Sequence, residues 1–367
     1  MGCGRKNAAS PEATRGDAAP PPAALDVPAP PASIEADAAP PAPRTPSAPP
    51  RGAGGPDGFA PCNPEWVLPA DPEVRLLGAA LAGGIAGILV EHAGAPVLLL
   101  IGGDPPQTTS VGLPDAPPEG ADPGSCGPLH GDVASYGDRF LVAWGRVAVG
   151  RLAVRVRAVV PSARLLPVDL PGRPGAAGEP VLEVPAAGEG VEIGIDPYPA
   201  AVLVTAWGPD GSASATVSPT GAPLDAGKLG WSLVTAPPGS ESPWLLPPPL
   251  ADSMAVRYVG PLGDAALAVD EGAGPVVLVR AGSAAEPFRF VDGWVPGPRE
   301  AVWFAPGRVF RLQGEAGPWR GVAYDAQGRV AVRLDLPAGS TPLAVSRDGR
   351  SVLFVGEVGA IGSCGVD

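Results

Sequence analysis

Two histidines, His92 and His130, are the only imidazoles in the chain, so any mechanism that needs a histidine base must use one of them. His92 follows an apolar run that reads as a strand, and His130 stands in Pro128-Leu-His-Gly131, which reads as a turn. Neither setting suggests a base. A Ser-His-Asp triad on an α/β scaffold needs a Gly-x-Ser-x-Gly elbow, and none occurs. Asp-x-Asp-x-Asp calcium loops and His-Glu-x-x-His zinc motifs are also missing from the sequence. Gly221-Ala-Pro-Leu-Asp-Ala-Gly-Lys-Leu229 approaches a phosphate loop, but five residues separate its glycines instead of four and Leu229 replaces the metal-binding hydroxyl. Cys126 and His130, four residues apart, are too few ligands for a metal. The expectation is a chain with no catalytic residue, no cofactor and no metal.

Four cysteines remain as reactive groups: Cys3, Cys62, Cys126 and Cys364. Cys126 and Cys364 occupy the same tetrapeptide, Gly-Ser-Cys-Gly, which reads as a surface turn in both places. No Cys-x-x-Cys is present, so a zinc ribbon or a thioredoxin-type site is not indicated. One disulfide among Cys62, Cys126 and Cys364 suits an exported protein. Cys126 with Cys364 is the leading pair and Cys62 with Cys364 the alternative.

Composition sets the scaffold. The 52 glycines and 52 prolines make up 28% of 367 residues, a share that by itself suggests disorder, yet 45% of the chain is apolar. Fifteen of the prolines fall in residues 1–61, where almost no apolar residue exceeds alanine in size. Such a segment cannot bury enough surface to offset its ordering entropy, and residues 1–61 read as a disordered Pro/Ala-rich tether ahead of a folded domain at 62–367. The net charge of −13 and the absence of any basic run exclude a nucleic-acid partner.

In the folded part, Leu76 to Val90 is a run of 15 apolar residues with four glycines, closed by Glu91 and His92. A membrane span needs about 20 apolar residues. The glycines instead divide the region into strands near 76–81, 85–90 and 97–101. Beyond it, apolar runs of four to eight residues alternate with Gly, Pro and Asp clusters, and helical spacing is absent, which predicts an all-β fold. Phe140-Leu-Val-Ala-Trp144 recurs as Leu203-Val-Thr-Ala-Trp207 and more weakly as Ala265-Ala-Leu-Ala-Val269. Short strands in repeats of about 40 to 50 residues point to a β-propeller of six or seven blades. A pair of β-sandwich domains is the alternative.

Ser346-Arg-Asp-Gly-Arg-Ser-Val-Leu-Phe354 resembles the Ser-Pro-Asp-Gly signature of TolB-type blades, with Arg347 in place of the proline. The chain is thus similar, over residues 130–358, to exported bacterial β-propeller proteins. Gly2-Cys3 followed by a polar stretch resembles the end of a lipoprotein lipobox, which implies lipidation of Cys3 and a start codon further upstream. A propeller also has to close its ring, and the disulfide, in either pairing, would supply a covalent closure.

These readings converge on a non-enzymatic propeller of the cell envelope, lipid-anchored or periplasmic, that binds an envelope protein or glycan partner, with membrane association only through the anchor. Trp244 and Trp319, both in loop-like contexts, are the candidate ligand-binding residues. The alternative function is a propeller hydrolase or lactonase using acidic residues such as Glu192, Asp196, Asp264 and Asp270 at the central channel. The alternative location is the cytoplasm.

Overall fold

Glycines at positions 78, 83, 84 and 87 break the longest apolar run of the chain into lengths that suit a sheet, and the computed structural model shows that region as an antiparallel meander. Described are residues 58–365 apart from 83, 104, 115–126, 162–166, 170–179, 187–189, 200, 209–210, 230–231, 235–243, 247–255, 263, 271–275, 281, 298–301, 306–307, 314–318, 347–350 and 357–358. The tether therefore lies outside the described residues, apart from its last four positions.

The described chain enters through β1 (Ala60–Pro61) and β2 (Asn63–Leu68). The first blade is β3 (Val74–Ala82), β4 (Ile85–His92), β5 (Ala95–Gly102) and β6 (Gln107–Gly112). The second is β7 (Leu129–Tyr136), β8 (Arg139–Ala148) and β9 (Arg151–Pro161), with β10 (Pro167–Asp169) and β11 (Leu182–Pro185) both pairing with β9. The third is β12 (Glu192–Pro197), β13 (Val202–Gly208) and β14 (Gly211–Val217), followed by a separate hairpin of β15 (Ser232–Val234) and β16 (Trp244–Leu246). The fourth is β17 (Val256–Leu262), β18 (Ala265–Asp270), β19 (Val276–Val279) and β20 (Glu286–Phe288). The fifth is β21 (Val302–Ala305), β22 (Arg308–Gln313), β23 (Arg320–Asp325) and β24 (Val330–Asp335), and the sixth is β25 (Thr341–Val345), β26 (Ser351–Val355) and β27 (Ile361–Gly365).

The first strands of successive blades touch in a closed circuit: β3 meets β7, β7 meets β12, β12 meets β17, β17 meets β21, β21 meets β25, and β25 returns to β3. This is a β-propeller of six blades, and the two-sandwich alternative does not describe it. The three related apolar runs at Phe140, Leu203 and Ala265 form β8, β13 and β18, the second strand of three successive blades. A second strand is flanked by strands on both edges and packed on both faces, which is why these runs are continuously apolar. Apolar clusters fill the seams between blades 1 and 2, 2 and 3, 4 and 5, 5 and 6, and 6 and 1.

Closure is made by the N-terminal strap. β2 pairs antiparallel with β27 and completes the sixth blade, and β1 pairs parallel with β24 at the edge of the fifth. Ahead of them, Phe59 is buried against the cluster between blades 4 and 5 and lies under the Arg320 guanidinium, 4.8 Å from its centre. Cys62, between the two strap strands, forms a disulfide with Cys364, 302 positions away. This corrects the leading pair Cys126–Cys364: the alternative partner, Cys62, takes Cys364, and Cys126 lies outside the described residues. The shared tetrapeptide misled because Gly362-Ser363-Cys364 is no surface turn. It is the buried middle of β27, and Gly362 is needed there because a Cβ would fall 2.4 Å from the ring of Phe354, its cross-strand partner.

Candidate functional site

β7 and β12, the first strands of the second and third blades, carry the most unusual polar groups among the described residues. On β7, Leu129 and Val133 belong to the cluster shared with the first blade and Ala134 to the cluster shared with the third. Alternation along a strand then turns His130 and Asp132, like Ala134, toward the third blade. His130 is thus a strand residue and not the turn residue its sequence context suggested.

Asp132 bridges the blades through its carboxylate. Oδ1 accepts the backbone N–H of Val133 at 2.8 Å, and Oδ2 accepts that of Ile195 on β12 at 3.2 Å. From the first blade, Gly78 comes so close that a Cβ on it would lie 2.8 Å from Asp132 Oδ1. The carboxyl keeps slight contact with solvent while deeply surrounded by protein, and this burial pushes its pKa up to about 7; the Val133 N–H opposes the rise, the nearby Asp196 adds to it, and the Ile195 N–H opposes it. Asp196, one residue beyond Ile195, is raised to about 6 by burial alone. Two neighbouring carboxyls that titrate near neutrality are the raw material of acid and base chemistry. One of them, however, has both oxygens held by backbone donors.

His130 sits beside a stitch between the first two blades. Glu91 at the end of β4 accepts Arg75 at 2.6 Å and Arg146 at 3.4 Å, and these arginines also bond the carbonyls of Leu129, Gly94 and Gly127. Burial, then the positive charge of Arg75, hold the His130 pKa below its usual value. Its Nε2 is enclosed and finds no hydrogen-bond partner among the described residues. The ring also hydrogen-bonds the Val191 backbone at the edge of the third blade, which opposes that fall.

The acidic residues named from the sequence do not converge. Asp196 meets Asp132, which sequence reasoning missed because nothing in Leu129-His-Gly-Asp132 marks it; only the folded ring supplies its partners. Glu192 is exposed at the start of β12, and Asp264 is exposed and ion-paired with Arg280 at 3.3 Å. Asp270 ends β18, and its side chain lies outside the described residues. His92 is exposed at the β4–β5 turn. Trp244 lies in the strand β16, not in a loop. Trp319 is half-buried, packs on the cluster between blades 5 and 6, and accepts the Leu336 N–H at its carbonyl. Cys3 lies outside the described residues. Among the described residues no group of three or more His, Cys, Asp or Glu side chains is placed to hold a metal ion.

No protein-family model matches the chain, and no curated protein sequence matches it significantly. Solved structures similar to it include a prolyl endopeptidase, at 16% identity over 78% of this chain with a TM-score of 0.36; the chain spans 39% of that protein's length. Virginiamycin B lyase from Staphylococcus aureus is 12% identical over 82% of this chain and 98% of its own, with a TM-score of 0.36. BamB from Moraxella catarrhalis is 13% identical over 79% of this chain and 84% of its own, with a TM-score of 0.32. Likenesses this distant carry no activity across, and the propeller assignment rests on the strand pairing of the chain itself.

Proposed function

We propose that this chain is an exported, non-enzymatic β-propeller that serves as a binding or scaffold module of the cell envelope, connected to it by the N-terminal tether and, through Cys3, by a lipid. The observation that carries the reading is the Cys62–Cys364 disulfide. Such bonds persist in oxidising compartments and are rare in reducing ones, and this one joins the strap to the last strand of the ring. The chemistry found in the ring wall supports a structural role: Asp132 fastens blade 2 to blade 3, and Glu91 fastens blade 1 to blade 2 through two arginines. The partner belongs to the envelope, as a protein or a glycan. Fractionation of producing cells combined with thiol alkylation before lysis tests the reading. Recovery in the envelope fraction with Cys62 and Cys364 protected supports it, and recovery in the cytosol with both alkylated overturns it.

A second reading, a hydrolase or lactonase, is favoured by one observation, the adjacent raised carboxyls of Asp132 and Asp196. It requires turnover of an ester, lactone or glycoside that Asp196→Asn abolishes while the fold is retained.

A further inference from the structure

The third and sixth blades each build three strands of their own, β12–β14 and β25–β27. In the sixth the fourth place is filled by β2, an extended segment from a distant part of the chain. In the third no described strand fills it. The chain leaving β14 turns back through Ser218–Ala222 and follows the edge for a single pair: the Leu224 N–H donates to the Thr216 carbonyl at 2.8 Å, and the Thr216 hydroxyl donates to the Leu224 carbonyl. It then departs into the short 3-10 helix Ala226–Leu229, and the hairpin β15–β16 pairs only within itself.

The Thr216 carbonyl marks which backbone groups face outward. Along an antiparallel ladder, residues bonded to the partner strand alternate with residues turned away from it. Ser214 and Ser212 therefore face outward with Thr216, while Val217, Ala215 and Ala213 bond β13. Ser212 is exposed and Ser214 half-buried, and no described residue bonds their outer N–H or C=O groups. Edges of this kind are ordinarily blunted by proline or charge. Pro185, Pro287, Pro61 and Pro64 stand in outermost strands of the second, fourth, fifth and sixth blades. β14 has neither a proline nor a charged residue. β6 is equally bare, but it is already a fourth strand, so among the described blades the third alone is both bare and short.

Neighbouring strands lie about 4.8 Å apart, so the rim is recessed by one strand between β11 and β20, the outer strands of the adjoining blades. Two copies of the chain meeting there would leave their β14 edges about 10 Å apart or more, too far to bond. A single extended segment fits. On the side of the second blade, Ala213 and Ala215 pack on the cluster that holds Leu182 and Val184, so a residue opposite Ala213 extends that cluster with an apolar side chain. Residues opposite Ser212 and Ser214 lie beside hydroxyls. We propose that the outer edge of β14 binds an extended, uncharged segment of a partner protein as a fourth strand, through the N–H and C=O groups of Ser212 and Ser214, with an apolar residue of the partner against Ala213. The inference rests on the reading of the chain as an envelope binding module and narrows its partner to a protein.

The test begins with the full chain carrying photoreactive p-benzoylphenylalanine in place of Ser212, irradiated in intact producing cells. A synthetic peptide of the crosslinked segment is then added to the purified, oxidised wild-type protein, and amide hydrogen exchange is read residue by residue. The peptide slows exchange at Ser212 and Ser214 by roughly tenfold or more, while Ala213 and Ala215, already bonded to β13, change little. Ser214→Pro removes an outward N–H and leaves the β13 ladder intact. It weakens the peptide by roughly tenfold or more at unchanged Tm, whereas Ser214→Ala binds within about twofold of wild type, because the backbone makes the bonds. Should Ser214→Pro lower Tm, the exchange pattern of the wild type decides alone. No crosslink, or one only to a second copy or to glycan, in cells whose envelope fraction holds the protein overturns this inference and leaves the envelope reading standing; recovery in the cytosol overturns both. Peptide binding that leaves the Ser212 and Ser214 amides in fast exchange, or that a normally folded Ser214→Pro retains, also overturns the inference.

Discussion

Asp132 Oδ2 accepts the backbone N–H of Ile195 at 3.2 Å, so the innermost strands of the second and third blades are joined by a side chain where no sheet ladder runs between them. Among the described residues no sheet ladder joins neighbouring blades apart from the strap's, and between the fourth and fifth blades the Val291 N–H donates to the Gly328 carbonyl at 2.9 Å. Polar stitches of this kind fix the angle at which one blade meets the next.

The stitch depends on the bare α carbon of Gly78. A methyl group there would come within 2.8 Å of Asp132 Oδ1 and 3.0 Å of the β7 backbone, which cannot retreat as a flexible side chain would. Gly78→Ala should destabilise the protein by about 1–3 kcal/mol, measured by urea unfolding, while Gly112→Ala, with open space around it, should cost less.

The two carboxyls give the propeller an inverted pH profile over part of the range. Unfolded, they ionise near 3.8; folded, burial raises Asp196 to about 6 and Asp132 to about 7. Between about pH 4 and pH 7 the native state therefore holds more protons than the unfolded chain, and their contribution to stability falls as pH rises through that window and is level above it. Asp196→Asn should flatten the decline and, at pH 8, exceed wild type by on the order of 1–2 kcal/mol. Unfolding free energies at pH 4.5, 6 and 8 decide the matter, and a slope unchanged in the variant contradicts it.

Val149 is held at φ 51° at the tip of the β8–β9 hairpin with 74% of its surface exposed. A β-branched residue is strained in the left-handed region, and the following residue is Gly150, also at positive φ. Val149→Asn converts the tip to Asn-Gly, the pair best suited to a primed turn, and should raise stability by about 1 kcal/mol. Differential scanning calorimetry reads this as a higher Tm.

Much of the architecture was legible because strand signals are local. The runs at 76–81, 85–90 and 97–101 sit inside β3, β4 and β5, and the related runs at Phe140, Leu203 and Ala265 sit in equivalent strands. What could not be read depends on distant segments meeting. Asp132 and Asp196 are 64 positions apart, and only the ring places them side by side. Gly362 looked like turn chemistry, and so did the matching Gly-Ser-Cys-Gly at Cys126. In a strand, a glycine facing a phenylalanine is space for the ring, a role that local composition does not reveal. Position 62 carried no motif at all, and its partner was set by where the strap crosses β27.

Loss of the disulfide should weaken closure more than any single stitch. A bond that spans 302 positions restrains the unfolded chain strongly, and the loop entropy it removes amounts to about 6 kcal/mol. Cys62→Ala with Cys364→Ala should lower Tm and make it insensitive to reductant, whereas wild type should lose stability on reduction.

The most direct measurement is non-reducing peptide mapping by mass spectrometry of protein recovered from the envelope of producing cells. The expected product is one linked pair, the peptide containing Cys62 joined to the peptide containing Cys364. A Cys126–Cys364 link, or free thiols at both Cys62 and Cys364, would contradict the covalently closed, exported propeller.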